Sequence, residues 1–136
     1  MLPFEFTVEG PPVSQQAANR ARLQEWRRRV YTAAALNWPQ DDSPLDGSLQ
    51  IIVVYFHDGV VIRMDNDNMV KPIQDARIGL IYADDRQITD TRVRKTTRRG
   101  PFIVERLSPV LAEAFVRNHE FVYVRVEEAP DHRELL

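Results

Sequence analysis

Two acidic stretches lie close together in the middle of the chain. Asp65 and Asp67 are separated by one residue and flanked by Asn66 and Asn68, Lys71 follows, and Asp84-Asp85 comes shortly afterwards. Carboxylates that converge without compensating bases repel one another, and some would take up protons. A hard divalent cation removes the conflict. Mg²⁺ takes oxygen ligands and keeps several waters, so one or two carboxylates and a substrate phosphate suffice to hold it. The i, i+2 spacing of Asp65 and Asp67 puts both on one side of an extended segment. A lysine beside such an ion can bind a phosphate oxygen or stabilise the charge that grows on it during reaction. Asp65, Asp67, Lys71 and Asp85, working with Mg²⁺, form a set adequate for phosphodiester hydrolysis.

Each piece also has a plainer reading. An Asp/Asn quartet before a helix serves as a turn and cap, Asp84-Asp85 as a solvated turn, and Lys71 as an i, i+4 partner of Asp75. An EF-hand is excluded, because Val70 stands at the sixth loop position, where that motif needs glycine. His57, His119 and His132 show no ligand spacing.

The two stretches must be brought together by what separates them. Met69, Ile73, Ala76 and Leu80 recur at helical spacing, which predicts a short helix over about 69–78, with Pro72 near its first turn and Gly79 as its stop. A helical path from Met69 to Leu80 advances about 16 Å. Extended chain from Leu80 to Asp85 returns about 16 Å. Length therefore allows Asp85 to meet Asp65 and Asp67.

Around this unit the pattern predicts alternating elements. Residues 4–8 alternate as a half-buried strand, and Gly10-Pro11-Pro12 ends it. Ser14 is the expected N-cap of a helix to about residue 37, with Leu23, Trp26, Val30 and Ala33 or Ala34 as its buried stripe. Residues 48–56 read as an internal strand covered on both faces, with Val60-Val61-Ile62 continuing the sheet. Residues 87–96 read as a basic strand, 108–118 as a helix opened by Ser108-Pro109, and 121–126 as a last strand. The expectation is one α/β domain with a mixed sheet, ordered β-α-β-α-β-α-β, over residues 1–128, followed by an acidic tail, 129–136.

Composition agrees with a single folded domain: 136 residues, 43% hydrophobic and 28% charged. The absence of cysteine removes disulfides and thiol chemistry. The start, MLPFEFTVEG, has neither a basic region nor a long apolar run, and no stretch is long enough to span a bilayer, so a cytoplasmic protein is expected. Net charge is −2, yet basic residues crowd two segments. Arg20, Arg27 and Arg28 in one, and Arg94, Lys95 and Arg98 in the other, are candidates for phosphate contact; a solvated helix face is the other reading of the first group.

The block from Met64 to Ile88 resembles the RusA family of Holliday-junction resolvases. That family's pattern is roughly D-x-D-N-x-x-K-x-x-x-D-A followed by D-D-x-Q-I. Asp65, Asp67, Asn68, Lys71, Asp75, Ala76, Asp84, Asp85, Gln87 and Ile88 match it. The likeness is close over 63–88 and looser over most of 4–97. It implies a homodimeric, Mg²⁺-dependent endonuclease acting on branched DNA, with Mn²⁺ a possible substitute. It assigns metal binding to Asp65, Asp67 and Asp85, with Asp84 and Asp75 as further contributors, and a phosphate-side role to Lys71. Three features depart from the family: Val13-Ser14-Gln15-Gln16 replaces a basic run after the Gly-Pro opening, 99–118 looks like an insertion, and the overall charge is acidic. A non-catalytic binding or immunity-type protein, and a nuclease for flaps, nicks or RNA, are the competing expectations.

Overall fold

Alternation of apolar and polar residues near the N-terminus becomes strand β1, Phe4–Glu9, in a computed structural model that describes residues 2–39, 43–59, 64–76, 80–99 and 107–134. Helix α1 spans Arg20–Asn37, β2 Leu49–His57, α2 Asn66–Asp75, β3 Ile88–Thr97, α3 Pro109–Val116 and β4 Phe121–Glu128. Short 3-10 turns cover Asp85–Gln87 and His132–Glu134. The element order is the expected β-α-β-α-β-α-β. Among the described residues no helix is long and apolar enough to cross a membrane.

The strands form one four-stranded mixed sheet in the order β1-β4-β2-β3. The pairs β1–β4 and β2–β4 are antiparallel, and β2–β3 is parallel. A parallel pair needs a crossover, and α2 with the acidic loop after it supplies this one. The crossover is why Lys71 and Asp85 belong to the same edge of the molecule.

Strand side chains alternate between faces, so β2 serves two cores. Leu49, Ile51, Val53 and Tyr55 join Phe6, Trp26, Val30, Met69, Ile73, Val122 and Val124 beneath α1 and α2. On the opposite face Phe56, Phe121 and Tyr123 meet Leu111 and Ala114 of α3. The segment that reads as an insertion thus carries the cover for one end of the second face. Ile52 and Val54 are only half-buried there, so β2 is fully covered on one side and partly on the other.

Two helix starts differ from the sequence reading. Helix α1 begins at Arg20, and its cap is Asn19, whose side chain accepts the Arg22 N–H at 3.1 Å. Ser14 instead closes a separate turn, its carbonyl accepting the Ala17 N–H at 3.0 Å. Helix α2 begins at Asn66, three residues before the expected Met69, so the Asp/Asn run is itself the first turn. Pro72 therefore lies inside the helix rather than near its start. The expected stop at Gly79 and the strand continuation at Val60-Val61-Ile62 fall outside the described residues. The buried stripe of α1 is Leu23, Trp26, Val30 and Ala34, as the periodicity predicts.

Candidate active site

Asp65 is the N-cap residue of α2, extended at φ −64° and ψ 146°, and its side chain makes no capping hydrogen bond. Asp67 lies in the first helical turn. The extended segment that would have put both carboxylates on one side is therefore not formed, and i, i+2 positions on a helix do not share a face. What the two share is a helix start, where free N–H groups and the helix dipole favour negative charge. Both residues are exposed. Lys71 follows Asp67 by four residues, one turn along the same face.

The second acidic stretch is built by Gln87. Its Oε1 accepts the N–H groups of Ala83 and Asp84 at 2.9 and 3.1 Å. Its Nε2 donates to the carbonyls of Leu45 and Gly47 at 2.8 and 3.1 Å. The buried Tyr82 hydroxyl adds a bond to the Gln74 carbonyl of α2 at 2.6 Å. The loop is thereby tied both to the chain before β2 and to α2. Sequence reasoning matched Gln87 to a pattern but gave it no task; a glutamine fixed two residues after an acidic pair is the signal that could have done so.

The two aspartates of this loop face different partners. Asp84 Oδ1 accepts the Arg86 N–H at 2.9 Å, and Oδ2 takes the Arg86 guanidinium at 2.7 and 3.0 Å. These hydrogen bonds hold the Asp84 carboxyl well below the usual carboxylate range. Asp85 Oδ2 instead meets Lys71 Nζ at 3.4 Å, while Asp75 Oδ1 meets the same ammonium at 3.0 Å. The Asp75 hydrogen bond, with Asp85 beside it, raises the Lys71 pKa above its ordinary value. Lys71 is a cation held between a carboxylate of its own helix and one brought in by the crossover. The i, i+4 pairing with Asp75 is realised, and Asp85 reaches Lys71; among the described residues Asp85 is not gathered with Asp65 and Asp67 into one cluster.

The donor chemistry suits Mg²⁺. Every candidate ligand is a hard carboxylate oxygen, and the Lys71 ammonium already occupies a cation position against Asp85. Among the described residues no group of three or more acidic or histidine side chains is gathered closely enough to cage an ion by itself. Mg²⁺ does not require such a cage when waters and a phosphate complete its shell. The donor type of these residues fits the ion, while Asp65, Asp67 and Asp85 are not gathered into one group among the described residues.

The six basic candidates divide. Arg28 is exposed and paired with Glu25 of its own helix at 2.6 Å. Arg20 donates to the Gln15 and Ala17 carbonyls at 3.0 and 3.5 Å from an exposed position. Arg94 is exposed on β3. The other three face inward. Lys95 donates to the Met64 carbonyl just before the acidic run. The Arg98 side chain, 8% exposed, pairs with Asp58 and with Asn118 at 2.8 Å. Arg27 reaches Gln15 at 2.9 Å and Asp75 at 3.6 Å. Period and charge marked these residues as basic but could not say where each side chain turns.

No curated protein matches the chain. The family model for Endodeoxyribonuclease RusA matches residues 8–105. That span holds the acidic helix start, Lys71, the Gln87-anchored loop and all of β3. The chain is a member of the RusA endodeoxyribonuclease family.

Proposed function

We propose that the protein is a Mg²⁺-dependent, structure-selective endodeoxyribonuclease of the cytoplasm. Its substrate in this reading is branched DNA, with the four-way junction of recombination and repair foremost. The observation that supports it most is the Lys71–Asp85 contact of 3.4 Å, which joins the acidic start of α2 to the second acidic loop. In this reading Asp65, Asp67 and Asp85 hold the ion, which supplies Lewis-acid stabilisation and an activated nucleophile when bound. Mn²⁺ can take its place. Asp84, bound to Arg86, shapes the loop and adds to the local negative field.

The chain's own groups do the rest. Asp65 and Asp67 present carboxylates from a helix start that is already ordered. When a phosphodiester arrives, Lys71 exchanges Asp85 for a phosphate oxygen and stabilises the negative charge that develops on it. Arg20, Arg28 and Arg94 provide exposed charge for the DNA backbone, so affinity falls as salt rises. A homodimer matches the two-fold symmetry of a four-way junction and the two symmetric cuts it needs.

A synthetic four-way junction with labelled strands tests this directly. Asp65→Asn or Asp85→Asn abolishes Mg²⁺-dependent nicking while the circular dichroism spectrum stays native. Full cleavage by either variant refutes the assignment. A panel of junction, flap, nicked, single-stranded and RNA substrates at one salt concentration identifies the preferred structure. The uncaged state of the described carboxylates favours one second reading, a binding protein that retains the fold. A sample that cuts no member of the panel with Mg²⁺ or Mn²⁺ would establish it.

A further inference from the structure

Lys71 sits on a flexible four-carbon stem with about 2 kcal/mol of rotamer entropy. An exposed i, i+4 pair stabilises by only ~0.2–0.5 kcal/mol. Asp75 alone would therefore hold the ammonium loosely. The surrounding bonds make the hold much firmer, and they close into a ring.

The ring begins with Pro72. Proline lacks an N–H, so the Asn68 carbonyl four residues earlier loses its helical donor. That carbonyl instead accepts the Gln15 N–H at 2.9 Å. Gln15 Oε1 then accepts Arg27 Nη2 at 2.9 Å. The same nitrogen stands 3.6 Å from Asp75 Oδ2, and Asp75 Oδ1 holds Lys71 Nζ at 3.0 Å. Asn68 and Lys71 are on one helix, which completes the circuit. Each oxygen of Asp75 has its own cation, so its carboxylate cannot rotate without breaking one contact. Arg27 is partly enclosed by the fold, its side chain 24% exposed. Its Nε is buried with no hydrogen-bond partner among the described residues. A guanidinium that leaves one N–H unsatisfied is a costly way to cover a surface; its Nη2 contacts are what it offers.

We propose that Asp75 and Arg27 are positioning residues: through the Gln15–Arg27–Asp75 ring, helix α1 fixes the Lys71 ammonium where a scissile phosphate is to be met. Asp85 is the exchangeable partner of Lys71, and Asp75 is the permanent one. The segment Val13–Gln16, where the family's basic run is missing, thereby gains a task, with Gln15 as the bridge between α1 and α2. The proposal rests on the phosphate-side reading of Lys71.

Two experiments test it. The first measures single-turnover nicking of a labelled four-way junction with protein in excess. It compares Lys71→Met, Asp75→Asn, Arg27→Met, Arg27→Lys and the double variant Lys71→Met/Asp75→Asn. Asp75→Asn and Arg27→Met are expected to slow the cutting step roughly 10- to 100-fold, the scale of a small misplacement of a catalytic group. Junction affinity, read by anisotropy without a divalent ion, changes by less than about 2-fold, and Arg27→Lys recovers part of the rate. In the Lys71→Met background, Asp75→Asn costs nothing more. An equal further loss in that background, or full rate in Asp75→Asn, overturns the proposal. Full rate in Lys71→Met sinks the reading of Lys71 itself.

The second experiment reads positioning without cutting. Nitrogen-15 relaxation of the Lys71 ammonium in DNA-free protein reports an ordered group in the wild type and a mobile one in Asp75→Asn and Arg27→Met. Unchanged mobility in both variants contradicts the proposal. Asp75→Glu serves as the conservative control if Asp75→Asn does not fold.

Discussion

Carboxylates in two regions of the molecule are satisfied in opposite ways. Beneath α3, Glu5 Oε2 accepts hydroxyl hydrogens from Ser108 at 2.6 Å and Tyr123 at 2.5 Å. At the end of β2, Glu120 Oε1 accepts from the Tyr55 hydroxyl at 2.9 Å and the Asp58 N–H at 3.0 Å. At α2, by contrast, Asp75 and Asp85 are held by the cations of Arg27 and Lys71. Neutral donors fix a carboxylate into the structure. A cation balances its charge instead, and an incoming ion of higher charge can displace that cation. The first arrangement builds a wall, and the second leaves negative charge available for chemistry.

The strongest way to break this comparison is at the loop. Asp85→Asn should lower nicking by a factor on the order of 10³, comparable to losing one key charge-stabilising group, and leave the thermal midpoint near that of the wild type. A large fall in the midpoint would move Asp85 to the structural side. Phe121→Ala probes the opposite face. Phe121 packs on Phe56 and Phe115 with ring centroids 4.8 and 5.3 Å away, and its loss should destabilise by about 3–5 kcal/mol. Urea unfolding measures this, and the fraction that stays folded should still nick at the normal rate.

A smaller effect sharpens the same contrast. Tyr123→Phe removes one hydroxyl and should cost about 1 kcal/mol. Burial first, then the bond to Glu5, raises the Tyr123 pKa far above its ordinary value. Burial and then Glu120 do the same to Tyr55. A raised pKa means that the native state keeps protons the unfolded chain releases, so this stability is full below about pH 10 and declines above it. Urea midpoints between pH 8 and 11 should fall in the wild type and fall less steeply in Tyr55→Phe/Tyr123→Phe. Equal slopes would remove the tyrosines from the account. The smallest effect belongs to Arg28→Ala, whose exposed pair with Glu25 should leave the thermal midpoint unchanged. Junction binding should weaken modestly and depend less on salt.

The order of elements was legible because apolar period is a strong signal. Phe4 to Val8, the stripe through Leu23, Trp26 and Val30, and the Ser108-Pro109 start all appear where the pattern puts them. The edges were harder to read, because capping residues compete locally. Ser14 and Asn19 are both good caps, and Asn19 took the role while Ser14 closed a turn beside α2. The Asp/Asn run could cap a helix or begin one, and it does both through Asp65 and Asn66. Most hidden were the second partners of charged residues. Nothing in the spacing of Arg27 says that it turns toward Asp75, since that depends on how α1 leans on α2. Pro72 shows the same limit. Its effect is felt at Gln15, on a distant segment whose N–H donates to the Asn68 carbonyl that Pro72 leaves without a helical donor.

The central claim is that carboxylates from the start of α2 and from the Gln87-anchored loop serve one divalent ion. Titration of the isotope-labelled protein with trace Mn²⁺ tests it, because the paramagnetic ion broadens nearby resonances. The account predicts that Asp65, Asp67 and Asp85 broaden together, and that Asp85→Asn weakens the broadening at Asp65 and Asp67. Broadening confined to the helix start, unchanged by Asp85→Asn, would contradict it.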